Sequence, residues 1–116
     1  MRILILEDDG YRVNVFVDLF NQHELTITEN AYSAVDYLTE QVFDVIFLDH
    51  DLGVNNGSGS LVSSFLRENP CNDNNNAIII IHSWNVPAAT SMRKDLPGAS
   101  LVPFATDTFY SIRLPK

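Results

Sequence analysis

The sequence predicts an α/β fold: a doubly wound sheet of five parallel strands, helices on both faces, and a shortened last helix. Three observations carry this expectation. Residues 3–6 (ILIL), 45–48 (VIFL) and 78–81 (IIII) are unbroken apolar runs. Such runs read as strands buried on both faces, as in a central parallel sheet rather than a half-exposed antiparallel one. Apolar residues at one-face helical spacing lie between them, so the order is strand then helix, five times over. Short alternating elements of this kind imply right-handed crossovers and a doubly wound sheet.

Each element has its own signal. After the first strand, Ile3 to Leu6, the residues Val13, Phe16, Val17 and Phe20 recur on one helical face. A second strand covers Leu25 to Thr28. Asn30 is a suitable cap for a helix that carries Ala31, Ala34, Val35 and Leu38. The third strand, Val45 to Leu48, leads into a segment with Gly53, Gly57 and Gly59. That segment reads either as a flexible connection or as a loop that admits ligand close to its backbone or moves over a site. Ser58 or Ser60 caps the next helix, which carries Leu61, Val62, Phe65 and Leu66 and stops before Pro70. The asparagine-rich "ENPCNDNNNA" reads as a solvated loop before the fourth strand. Pro87 suits the first turn of a helix through Ala88, Ala89 and Met92. Ser100 to Val102 form the fifth strand, and Thr106 to Arg113 leave room for barely two helical turns.

Length and charge narrow the function. A chain of 116 residues supports one core, so residues 1–116 are expected to form a single domain. The formal net charge of -8 opposes general binding to nucleic-acid backbone, though not to a small phosphate ester held through a cation. No signal-peptide core or membrane-length apolar stretch occurs, which makes the cytoplasm the expected compartment. The single Cys71 cannot form an internal disulfide, and neither a P-loop nor a dinucleotide fingerprint is present.

The chemistry gathers where strands end. Ligands of open α/β sheets sit beyond the carboxyl ends of the strands. The first strand ends in Glu7, Asp8 and Asp9, the third in Asp49, His50 and Asp51, and the fourth in His82, Ser83, Trp84 and Asn85. If the first and third strands are neighbours, four or five carboxylates share one crevice, where they share protons or bind a cation. An all-oxygen shell suits Mg²⁺ or Mn²⁺ better than zinc, with Asp8, Asp9 and Asp49 as ligands. Glu7 is expected to point aside and pair with Arg12, which is either a surface ion partner or a fork for phosphate oxygens. His50 and His82 supply proton transfer near neutrality. Asp51 either orients His50 or joins the metal shell. Ser83 and Asn85 are donors for a phosphoryl oxygen, and Trp84 is a packing residue or a lid against a base.

"ILILEDD", "DVIFLDHDLG", a strand followed by Ser83, and "LVPF" together resemble a two-component response regulator receiver domain over nearly the whole chain. The resemblance implies a flavodoxin-like sheet of strand order 2-1-3-4-5. It also implies Mg²⁺ on Asp8, Asp9 and Asp49, phosphorylation of Asp49, and a phosphate contact from Ser83. Val102 stands before Pro103 where that family places a lysine, and neither Lys94 nor Lys116 is at that position. "LEDD" with Arg12, "FLDHDLG", and "HSWN" followed by "AATSM" look more like a divergent branch, the cyclic-phosphate processing receiver-like proteins. That likeness implies a metal-dependent phosphoesterase for cyclic phosphates of nucleotides or RNA ends. Its site would comprise Asp8, Asp9, Arg12, Asp49, His50, Asp51, His82, Ser83 and Asn85. Two other functions remain: a stand-alone receiver phosphorylated on Asp49 that controls a protein partner, and a non-catalytic module for a phosphorylated ligand or a protein.

Overall fold

Residues 1–105, 108, 109, 112 and 114 are described by the computed structural model. Five strands, β1 (Arg2–Leu6), β2 (Glu24–Thr28), β3 (Val45–Leu48), β4 (Ile78–Ile81) and β5 (Ser100–Leu101), form one sheet in the order β2-β1-β3-β4-β5. Every pairing is parallel. The helices are α1 (Gly10–Leu19), α2 (Ala31–Glu40), α3 (Gly59–Glu68) and α4 (Val86–Asp95). The expected doubly wound fold and strand order are therefore the observed ones. The anticipated last helix, Thr106 to Arg113, falls largely outside the described residues.

Alternation along the strands divides the apolar interior into two layers. Leu4, Leu6, Ile46, Leu48, Ile79 and Ile81 face α2, α3 and α4, where Ala31, Ala34, Leu38, Val62, Leu66 and Met92 complete one cluster. Ile3, Ile5, Val45, Phe47 and Ile80 face the other way, against Phe16 of α1, the Phe20 that ends it, and Phe104 and Phe109. All four residues of β3 are fully buried. Burying a large apolar side chain contributes about 1.5–3 kcal/mol, which is why the two-sided strands tolerate no polar residue until they leave the sheet. No helix among the described residues is long and apolar enough to cross a membrane.

Caps start the helices where the strands release the chain. Asp9 Oδ1 accepts the Arg12 N–H at 3.0 Å, Asn30 Oδ1 accepts from Tyr32 and Ser33, and Asn85 Oδ1 accepts from Ala88. Ser58 is the residue before α3 but makes no side-chain cap. That helix is placed instead by Gly59, whose N–H donates to His50 O at 3.0 Å; a Cβ there would run into the Asp49 carbonyl oxygen. The close approach at Gly59 is backbone on backbone. The loop is also tied down, by a bridge between Asp51 and Ser58 and by Ala31 N–H on Asn56 O at 2.8 Å.

The asparagine-rich segment departs from the solvated loop expected of it. It contains a short 3-10 helix, Asp73–Asn76, and Asn74 is fully buried. Asn74 Nδ2 donates to Leu38 O (3.0 Å) and Gln41 O (2.8 Å), and its Oδ1 accepts the Phe43 N–H (2.8 Å). Asn75 Nδ2 serves Leu66, Asn69 and Asn72 carbonyls. These amides satisfy backbone groups that α2 and α3 leave open at their ends, as buried helix termini require.

Candidate functional site

The sheet register carries its alternation one step beyond the strands. Leu6, Leu48, Ile81 and Leu101 lie side by side. The next residues in line are therefore Glu7, Asp49, His82 and Val102, held by Asp49 N–H on Leu6 O (3.1 Å) and His82 N–H on Leu48 O (3.0 Å). Glu7 continues the face of Ile3 and Ile5, Asp49 that of Phe47, and His82 that of Ile80. A row of ionisable groups thus caps an aromatic layer. The His82 ring lies 5.2 Å from Phe16 and 6.1 Å from Phe109, centroid to centroid.

The row is buried and unevenly charged. Glu7, Asp49 and His82 are 1%, 4% and 0% exposed. Glu7 Oε1 meets His82 Nε2 at 3.0 Å, and its Oε2 accepts the N–H groups of Asp8 (2.9 Å) and Asp9 (3.1 Å). Burial acts to raise the Glu7 carboxyl, but the hydrogen bond from His82, the Asp9 N–H and Arg12 outweigh it and hold Glu7 below the usual carboxylate range. Burial lowers the His82 pKa. Its Nδ1 has no partner among the described residues and lies in an aromatic wall. A second N–H there would be an orphaned donor, so the pair is a carboxylate and a neutral imidazole that donates through Nε2.

Asp49 takes the opposite course. Burial first, and then the Glu7 charge, push its carboxyl up to about 7, against the His50 N–H (2.8 Å on Oδ1) and Arg12. Asp8 is raised as well, by burial and by Glu7. Arg12 is the cation at this edge: its Nη1 lies 3.5 Å from Glu7 Oε1 and 3.8 Å from Asp49 Oδ2. Its guanidinium stacks on Trp84, 4.2 Å from the ring centroid, and sits 5.3 Å from Phe104.

These residues line a cleft of about 230 Å³ walled by Asp8, Asp9, Arg12, Asp49, Asp51, Ser83, Trp84 and Asn85. His50 is not in the wall but meets it through Asp51, with Nδ1 on Asp51 Oδ1 at 2.6 Å. That hydrogen bond, with one from Asn85, lowers the Asp51 carboxyl below its usual range. An ionised Asp51 can only accept, so His50 carries its hydrogen on Nδ1 and leaves Nε2 as the basic nitrogen. The donors that face the cleft are carboxylates, a set that fits a hard cation such as Mg²⁺ and not a soft one.

A profile of the cyclic-phosphate processing receiver domain matches residues 2–97. The chain belongs to that family. Solved receivers share the fold of this cyclic-phosphate processing receiver domain. Response regulator TrrA of Thermotoga maritima, crystallised with Mg²⁺ and BeF, is 18% identical with a TM-score of 0.71, over 90% of this chain and 86% of that one. A CheY-like receiver domain of Methanospirillum hungatei JF-1 is 17% identical with a TM-score of 0.67, over 92% and 85%. NtrX of Brucella abortus, crystallised with ADP, is 21% identical with a TM-score of 0.69 over 93% of this chain, which spans 25% of NtrX. At these identities the likeness establishes fold alone. No curated protein sequence matches the chain.

Within this receiver, Asp8, Asp9, Arg12, Asp49, Asp51, Ser83 and Asn85 come together in one wall, while His50 lies behind Asp51 and His82 lies beneath, closed off. Glu7 does pair with Arg12, but by pointing inward rather than aside. It belongs to the acidic cluster, and one atom each of Glu7, Asp49 and His82 lie within 4.8 Å of one another. The signal for Glu7 was its place two residues beyond Ile5, on the same strand face. His82, not Ser83, is the residue in line with Asp49, and Val102 ends the row with an apolar side chain.

Proposed function

We propose that the cleft is a metal-dependent phosphoesterase site for cyclic phosphates of nucleotides or RNA ends. The observation that supports it most is the gathering of four carboxylates and a guanidinium in one cleft, with His50 hydrogen-bonded to the wall residue Asp51. Asp8 and Asp49, with Asp9 beside them, would hold Mg²⁺ or Mn²⁺, and such an ion would supply polarisation of a phosphate oxygen and neutralisation of developing charge. Arg12 offers its fork to the phosphate oxygens. The Ser83 hydroxyl accepts the Asn85 N–H at 3.1 Å and keeps its own hydrogen to donate. The His50–Asp51 pair, which meets the wall through Asp51, takes a proton from water as the water oxygen attacks phosphorus. The ring P–O bond breaks, and the pair returns that proton to the leaving ribose oxygen. Asp51 holds the imidazole in its working tautomer, and Asn85 Nδ2 steadies Asp51 at 3.3 Å. His82, closed off from solvent, serves by fixing Glu7.

The test is incubation with 2′,3′- and 3′,5′-cyclic nucleotides in Mg²⁺ or Mn²⁺ and in chelator. Metal-dependent ring opening is expected, and His50→Gln should lower kcat about 10²–10⁴-fold with little change in KM. No metal-dependent opening of any cyclic phosphate would overturn the proposal.

A second reading makes Asp49 a phosphoacceptor. Arg12, 3.8 Å from Asp49 Oδ2, supplies the cation that Val102 cannot. Acetyl phosphate with Mg²⁺ should then add one labile phosphoryl group that Asp49→Asn does not accept, and an unchanged intact mass contradicts it.

A further inference from the structure

Trp84 stands at the mouth of the cleft, and the phosphate chemistry makes no use of it. The indole is 64% exposed, yet it is fixed. Its Nε1–H donates to Phe104 O at 2.6 Å, and the Arg12 guanidinium lies against the ring. The hydrogen bond holds one edge and the cation covers a face, so the indole presents a rigid aromatic surface to solvent. Large apolar side chains gain free energy by burial, and this one is withheld from the core beside an anion-binding group.

We propose that Trp84 is a stacking platform for the base of a nucleotide whose phosphate occupies the carboxylate cleft; this rests on the phosphate-site reading above. Three further observations lead to a nucleotide. The cleft volume of about 230 Å³ falls below the roughly 300–1,000 Å³ of pockets that enclose a whole ligand. It holds a phosphoryl group and part of a sugar, and leaves the rest of the ligand at the mouth, where the indole is. Arg12 couples the two ends, since one guanidinium faces both the Asp49 carboxylate and the Trp84 ring. The net charge of -8 repels a run of phosphates, so the ligand is a mononucleotide or one terminal nucleotide rather than a length of backbone. Stacking is tolerant of base identity because every base has a π face. The site should therefore require a base without strongly selecting which one.

Trp84 is the only tryptophan in the chain, so its fluorescence reports this position alone. The experiment compares adenosine 3′-monophosphate with the methyl riboside 3-phosphate, monoesters that differ only in the base. Binding to the full chain in Mg²⁺ is followed by equilibrium dialysis and by Trp84 emission. The nucleotide should bind about tenfold or more tighter and quench Trp84. Trp84→Ala should abolish the preference, and Trp84→Phe should retain most of it. A Trp84 that served only to brace Arg12 would, on substitution, weaken both ligands alike and leave their ratio unchanged. Equal affinities in the wild type, or a preference that survives Trp84→Ala, would overturn the platform while the phosphate site stands. Failure of both ligands to bind would overturn the platform together with the reading beneath it.

Discussion

The two edges of the sheet bury polar side chains under opposite rules. At the amino edge, Asn74 is fully enclosed and every polar atom of its side chain is paired, two N–H groups to carbonyls and the oxygen to an N–H. At the carboxyl edge, Glu7, Asp49 and His82 are just as enclosed, yet burial and the Glu7 charge push the Asp49 carboxyl up to about 7, and among the described residues His82 Nδ1 has no partner. A satisfied buried amide stabilises the fold; two buried carboxylates set side by side repel each other, and a cation between them would relieve that repulsion. The same fold therefore gathers satisfied amides at one edge and crowded ionisable groups at the other.

The contrast is broken most easily at Asn74. Asn74→Ala leaves the Phe43 N–H and the Gln41 carbonyl without partners, while Leu38 O keeps the Asn72 side chain. At about 1–3 kcal/mol for each orphaned group, together with lost packing, the expected cost is ~3–5 kcal/mol, and Tm should fall by more than ~15 °C in a thermal melt. A loss below about 1 kcal/mol would mean that solvent replaces those bonds and that the amino edge is no structural anchor.

Glu7→Gln sharpens the other side. The amide can still accept the Asp8 and Asp9 N–H groups but gives up the charge shared with Arg12, so a smaller loss of about 1–3 kcal/mol is expected. The more telling readout is Asp49. With the Glu7 charge gone, the Asp49 titration, followed by carboxyl carbon NMR, should move down from about 7 toward the ordinary carboxylate range. A titration that does not move would show burial alone holding the proton.

Much of this was legible in the residues, and the gaps have physical causes. Runs such as VIFL announce strands because only apolar side chains survive burial on both faces. Asn30 and Pro87 announce helix starts because their roles are local. Glu7 pairs with Arg12 as expected but points inward, which residue type alone does not reveal in a run of three acids. Strand alternation sets Glu7 with Ile5 and aims it inward, and leaves Asp9 to cap α1. The asparagine corner was not legible, since the partners of Asn74 lie 31 to 36 residues away in sequence. Separation along the chain likewise hid the fixing of Trp84, whose anchors are Phe104 and Arg12.

The central claim is that the carboxyl edge is built to be completed by a cation, and thermal melting of wild type and Asp49→Asn at pH 8, with and without Mg²⁺, tests it most directly. Asp49 binds its proton more tightly in the folded chain, at about 7, than in the unfolded chain, at its ordinary 3.8. Its contribution to stability is therefore full below about pH 4 and lost as pH rises through 7, and at pH 8 the ionised carboxylate weighs against the fold. Asp49→Asn without metal should melt slightly above wild type. Mg²⁺ at ten to a hundred times its Kd should stabilise wild type by about 1.4–2.7 kcal/mol, a rise of roughly 5–15 °C, and should leave Asp49→Asn nearly unmoved. A wild type that does not respond to millimolar Mg²⁺ or Mn²⁺, or a variant that responds equally, would contradict the claim.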